Sequence, residues 1–216
     1  SVLVIATSDQ PAMMRSKCAL TATTVAEYFK DMGKDVLLMM DSLTRYCMAE
    51  REVGLSIGEP PVARGYTPSI YASLPKLLER CGNFKTGSIT GIFTVLVEGD
   101  DSNEPVSDTV RGIIDGHIML SRKIAMKNHY PAIDVTASIS RLMSEIASPE
   151  QKANASKIRK IMSLYQENAD LISIGAYKSG TNPELDEAIK RMQAINEFLQ
   201  QPVNQKVDFN DTVAIM

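Results

Sequence analysis

The sequence predicts an α/β fold, a mostly parallel sheet flanked by helices, followed by an all-α C-terminal domain. Three observations predict it. Apolar runs at Val2–Ala6, Val36–Met40 and Ile89–Val97 are too short for independent helices and suit strands buried on both faces of a parallel sheet. The first two runs are joined by a helical stretch, giving strand, helix and strand within about forty residues, the spacing of a right-handed βαβ crossover. From Ser148 on, the apolar residues recur only at helical intervals, which places residues 1–147 in the sheet domain and 148–216 in the helical one.

Composition narrows the function. The chain has 216 residues, 44% of them hydrophobic, with a net charge of −3. It can bury a substantial core and carries no basic footprint, so nucleic acid is not an expected partner. No apolar run approaches the length of a membrane span and no signal-peptide pattern opens the sequence. Cys18, Cys47 and Cys81 are odd in number and widely spaced, which favours reduced thiols in a cytosolic protein over disulfides or zinc.

Along the chain, Ser1 leads straight into the first apolar run. Domains rarely begin on a central strand, so the sequence is expected to belong to a longer chain. Thr7–Pro11 reads as a helix entry. Met14, Cys18, Val25, Phe29 and Met32 form a helical stripe, closed by Gly33 as a C-terminal cap. Val36–Met40 is the central strand, and it ends in Asp41. A carboxylate there opens into the crevice where open α/β sheets bind ligands, although an acid at a strand end also serves as a cap for a following helix. A helix is predicted through Glu50, then a long ordered loop from Gly54 to Pro68 with three glycines and three prolines; such loops are usually functional. Ser69–Cys81 is an amphipathic helix. Ile89–Val97 is a strand that runs into the acidic loop Glu98–Pro105. A short helix over Ser107–Ile114, a strand at Ile118–Leu120 and an extended segment from Tyr130 to Arg141 follow. Ser148 opens a capping box with Gln151, with Pro149 at the first helical position. Ile158, Ile161, Tyr165, Ala169 and Ile172 share one face. A second helix starts at Asn182-Pro183, carries Leu185, Ile189, Met192, Ile195 and Leu199, and stops at Pro202.

Several stretches together resemble the ATPases of flagellar and type III protein export, relatives of the rotary ATP synthase catalytic subunits. They are Asp41-Ser42-Leu43-Thr44-Arg45, Glu52–Pro61, Gly87-Ser88-Ile89-Thr90 with Glu98-Gly99-Asp100-Asp101, His129–Asp134 and Ser138–Arg141. The resemblance spans the whole chain, and the wording of Glu98–Pro105 favours the flagellar branch. It implies a P-loop (RecA-like) sheet, ATP and Mg²⁺ as cofactors, a hexameric ring, and energising of type III protein export. It also implies a cytoplasmic protein peripheral to the inner-membrane export gate, with export stator and central stalk proteins and chaperone–substrate complexes as partners. The alternatives are the ATPase of a virulence injectisome or a non-catalytic nucleotide-binding ring subunit. The phosphate loop Gly-x-x-x-x-Gly-Lys-Ser/Thr does not occur in these residues, nor does the family's catalytic glutamate. Residues 1–216 are therefore expected to be inactive alone.

On this resemblance Asp41 orients the waters around Mg²⁺. Arg141 stands where the family has an arginine finger that serves a neighbouring subunit's nucleotide; its other reading is a surface arginine at a domain junction. Tyr130 corresponds to an aromatic stacked on adenine, against an ordinary core tyrosine. Arg45, one helical turn after Asp41, is a catalytic candidate that would pair with Asp41 or with the family's catalytic glutamate; its other reading is half of a structural salt bridge. Glu98, Asp100 and Asp101 read as solvated loop acids ahead of a metal cluster. The apolar loop from Leu55 to Tyr66 would face the ring's pore and a central stalk. The C-terminal helices read as core of their own module, the place where the family docks chaperones.

Overall fold

The computed structural model describes residues 1–97, 99 and 104–216. They form two compact units, Ser1–Ile114 and Asp115–Met216.

In the first unit, α1 (Ala12–Asp31) leads into β1 (Asp35–Met40) and α2 (Leu43–Ser56). A short 3₁₀ turn (Ala63–Gly65), α3 (Pro68–Leu78), β2 (Gly82–Asn83), β3 (Ser88–Phe93) and α4 (Pro105–Ile113) complete it. The sheet order is β1-β3-β2. β1 and β3 run parallel from Asp35 opposite Ser88 to Met40 opposite Phe93, and β2 pairs antiparallel to β3. Gly33 takes φ +76° just past α1, the left-handed turn expected of a helix-ending glycine.

Three expectations are corrected here. Val2–Ala6 is not a strand. A strand exists through its ladder, and among the described residues nothing pairs with this run, which borders a shallow groove with Met14, Cys18 and Thr21 of α1. The stripe of α1 is also displaced. Ala12, Ser16, Thr23 and Ala26 are buried, whereas Met14, Phe29 and Met32 are exposed. Small side chains let α1 lie close to α2 and β1, and interaxial distance follows side-chain size. The contact with α2 is fastened by Arg15 to Glu52 at 2.5 Å and by Ser16 to Glu50, and Arg80, beyond α3, ties that segment to Glu27 of α1 at 2.7 Å. Finally, β1 is not covered on both faces within the unit. Leu38 and Ile89 pack on Ala26 of α1, while Leu37, Met39 and Ile92, alternating with them along the strands, are exposed.

The main core gathers Leu43 and Cys47 of α2, Ile70 and Leu74 of α3, and Val106 and Val110 of α4. Leu74 is fully buried. Leu74→Ala is expected to lower unfolding free energy by about 2–5 kcal/mol, read from urea melts. Burial pushes the Cys47 thiol up to about 12, so it stays protonated and unreactive while the fold holds.

The Arg80 guanidinium beside Glu27 holds that carboxyl below its ordinary value. A depressed folded value means the pair's contribution is complete above the ordinary carboxylate range and is lost as pH falls through the folded value. Arg80→Met should therefore destabilise the protein at pH 7 and cost progressively less toward pH 3, measured by thermal melts across that range.

The second unit opens with an antiparallel hairpin of β4 (Gly116–Leu120) and β5 (Ile133–Ser140), with the short helix α5 (Arg122–Ala125) in the connection. The register is irregular between His117 and Met119. The Asp134 carboxylate accepts the N–H groups of Thr136 and Ala137, both at 3.0 Å, and fastens this bend. Then come α6 (Met143–Ile146), α7 (Pro149–Glu167), α8 (Ala169–Ser173), α9 (Pro183–Leu199) and α10 (Phe209–Ile215). Ser148 and Gln151 make the predicted capping box, and Asn182 caps α9. Met162, Leu185, Ala188 and Ile195 are buried where α7 and α9 meet. The face read as continuous to Ile172 breaks at Asn168, and α10, capped by Asp208, was not expected beyond Pro202.

Candidate functional site

Because β1 and β3 are parallel, their C-terminal ends open on the same side, and Asp41 and Thr94 come next on each chain segment. Thr94 Oγ1 donates to Asp41 Oδ1 at 2.7 Å. The Thr94 N–H donates to the Met40 carbonyl at 3.0 Å, and the Leu43 N–H to the Thr94 carbonyl at 2.9 Å. One residue further, Thr44 Oγ1 receives the Leu96 N–H at 2.8 Å. The strand tips are thus zipped beyond the end of β3, and β3 proper stops at Phe93 rather than Val97. The Asp41–Ser42 peptide is cis. Ser42, not Asp41, caps α2, its hydroxyl accepting the Arg45 N–H at 3.3 Å. The cap alternative for Asp41 therefore falls, because its neighbour performs that task.

Asp41 is exposed. Oδ1 is oriented by Thr94, and Oδ2 has no protein partner among the described residues. One oriented carboxylate open to water fits a magnesium ion held through its waters, since Mg²⁺ keeps several waters and takes one or two carboxylates plus substrate phosphates. Thr94 was missed in the sequence; the available signal was a hydroxyl residue following the apolar run of a strand paired in register with β1.

Arg45 is exposed on the first turn of α2 and makes no ion pair with Asp41 among the described residues. Asp41 is instead engaged by a neutral hydroxyl. The loop between α2 and α3 is shorter than expected, since α2 runs on to Ser56 rather than Glu50. Leu55 in the last turn of α2 and Ile57 and Val62 on the loop are exposed, Ile57 at 78%.

Tyr130 and Arg141 belong to the second unit, so the candidates are divided between the two units. Tyr130 precedes a cis proline, is 53% exposed and accepts the Gln201 N–H on its carbonyl at 2.9 Å. It is not a core tyrosine of its unit. Arg141 directly follows β5 and is exposed. Its N–H donates to the Asp115 carbonyl at 2.8 Å and its carbonyl accepts Ser144 Oγ at 3.3 Å. The hairpin's closure thereby fixes its backbone. Glu98, Asp100 and Asp101 lie outside the described residues.

A parallel strand pair that offers an oriented acid at its C-terminal tip, with a capped helix leaving the same point, is the ligand crevice of an α/β domain. The chain belongs to the ATP synthase alpha/beta family, whose nucleotide-binding domain matches residues 1–140; the T3SS EscN ATPase C-terminal domain matches residues 147–216. It is 52% identical to the flagellum-specific ATP synthase of Bacillus subtilis over all of its own length and 49% of that protein's. It also superposes on the assembled ATPase EscN of the enteropathogenic E. coli type III secretion system with a TM-score of 0.95 and 50% identity, over 97% of this chain and 51% of that one. A structure of EscN with its central stalk EscO matches at 48% identity and a TM-score of 0.89, over 97% and 50%. The chain thus spans about half the length of these relatives.

Proposed function

We propose that this chain is part of a ring-forming ATPase that energises flagellar protein export, with ATP bound as its magnesium complex between neighbouring copies. The observation that carries it is the Asp41 carboxylate fixed by Thr94 at the tips of β1 and β3. Mg²⁺ at this tip would supply charge to stabilise the transferring phosphoryl group. Asp41 holds and orients that ion's waters. Arg45, one turn on, adds positive charge on the same side as Asp41. Arg141 donates to γ-phosphate oxygens from the next copy, and Tyr130 stacks on adenine. The phosphate loop and general base come from residues other than these 216. The 49% coverage of the Bacillus subtilis relative supports that division.

The segment from Leu55 to Tyr66, with Leu55, Ile57 and Val62 exposed, faces the ring's central opening and contacts a stalk protein, as the EscN–EscO complex suggests by likeness. The helical domain, from residue 148, starts at the Ser148 capping box and supplies the surface for chaperone–substrate complexes. No described helix is long and apolar enough to cross a membrane. The working site we propose is cytoplasmic, beside the export gate and its stator. The test is genetic and biochemical together. Deleting the gene should abolish flagellar filament assembly, and the complete protein should hydrolyse ATP only with Mg²⁺; intact filaments in the deletion strain reject the flagellar reading. The likeness to EscN supports a second reading, the injectisome ATPase. Under that reading the deletion stops needle secretion and spares swimming.

A further inference from the structure

We propose that Glu59 is a latch that presents the apolar tip of the loop between α2 and α3, making it a positioning residue for contact with a central shaft protein. The inference rests on the ring reading above.

The loop has little regular structure of its own, yet its base is closely tied. Glu59 Oε1 accepts the Ser69 N–H at 2.7 Å and Oε2 accepts Ser69 Oγ at 2.6 Å. Ser69 is the second residue of α3, where helix N–H groups lack intrahelical partners. Thr67, at the N-cap, makes no side-chain cap bond; its hydroxyl lies 3.0 Å from Ser69 Oγ instead. A carboxylate from ten residues earlier therefore does the capping, and an anion is favoured at that end of a helix. The same residue's N–H donates to the Gly54 carbonyl at 3.0 Å, so Glu59 ties the end of α2 to the start of α3. The fit is close. A Cβ at Gly54 would stand 2.6 Å from Glu59 Oε2 and 2.7 Å from Thr67 Oγ1, so any larger residue there would displace the carboxylate or Thr67. The Ser69 hydroxyl, ahead of its N–H and Thr67, holds the Glu59 carboxyl below its ordinary value.

The rest of the loop is fixed from the other side. Tyr66 is buried, with the Arg51 guanidinium 5.4 Å from its ring centre, and the Val62 N–H donates to the Tyr66 carbonyl at 2.8 Å. Ile57, within the tie from Gly54 to Glu59, and Val62, bonded through its N–H to Tyr66, keep their side chains exposed. An apolar tip on a rigid base suits a contact that bears force. On a loose base it would yield before transmitting any. The hydrogen-bond partners of Glu59 lie at the end of α2 and the start of α3, so removing it leaves the strand tip at Asp41 untouched.

The experiment compares Glu59→Ala and Glu59→Gln with the wild type in the complete protein. It reads amide exchange over residues 55–67, ATP turnover alone, and turnover with the purified central stalk protein of the same organism. Glu59→Ala is expected to speed exchange in the loop by about 10-fold. It should leave basal turnover unchanged and cut stalk-dependent stimulation several-fold. Glu59→Gln keeps an acceptor for the Ser69 N–H and should fall between, and it is read alone if the alanine variant does not fold. Unchanged exchange in the loop overturns the latch. Faster exchange with undiminished stimulation overturns the positioning role. A wild-type protein indifferent to the stalk protein overturns the shaft reading instead, and this shows in the control before any variant is measured.

Discussion

Arg141→Ala is expected to abolish ATP turnover in the assembled ring, a loss of about 10³- to 10⁵-fold, and to leave nucleotide affinity nearly unchanged. The reason is where charge develops. In phosphoryl transfer negative charge spreads over the γ-oxygens at the transition state, and a planar guanidinium can donate to two of them at once. Binding of the ground state draws on other contacts, so affinity is spared. The structure gives this arginine a fixed backbone: its N–H is bonded to Asp115 and its carbonyl receives Ser144. Arg141→Lys is not a rescue, because an ammonium cannot reproduce the bidentate fork. Turnover by stopped-time phosphate release and affinity by a fluorescent nucleotide analogue separate the two effects. Turnover within tenfold of wild type removes the finger assignment.

Asp41→Asn is the second large effect. It should lower turnover by about 100-fold or more and move the Mg²⁺ requirement to higher concentration, because the carboxylate charge that orders the ion's waters is gone while the shape is kept. Thr94→Val provides the graded companion. It removes the 2.7 Å hydrogen bond and leaves the acid in place, so its cost is about 10-fold, the scale of lost outer-shell orientation. An Asp41→Asn protein with normal magnesium dependence would place the metal elsewhere.

Much of this was legible in the residues. Val36–Met40 ending in Asp41, the Ser148 capping box and the Asn182 start of the last long helix are local patterns, and the structure keeps each of them. What was not legible depends on pairing and approach. The run Val2–Ala6 has the composition of a strand but no ladder, and composition cannot report whether a neighbour pairs. The helical spacing of Met14, Cys18, Val25, Phe29 and Met32 marks the wrong face of α1: Met14, Phe29 and Met32 lie outside, because close approach to α2 selects alanine, serine and threonine. Thr94 was invisible until β1 and β3 were put in register, since 53 residues separate it from Asp41. Glu59 capping α3 from an irregular loop is the same kind of long-range choice.

If Asp41 and Arg141 act on different nucleotides, each completing a site with a neighbouring copy, mixed rings of two variants should recover what neither variant has alone. Asp41→Asn and Arg141→Ala are each inactive alone; combined one to one and reassembled, they are expected to regain turnover. The boundary between an Arg141→Ala copy, which keeps Asp41, and an Asp41→Asn copy, which keeps Arg141, holds one complete set. A mixture as inactive as its two components contradicts this division and places both residues in one copy's own site.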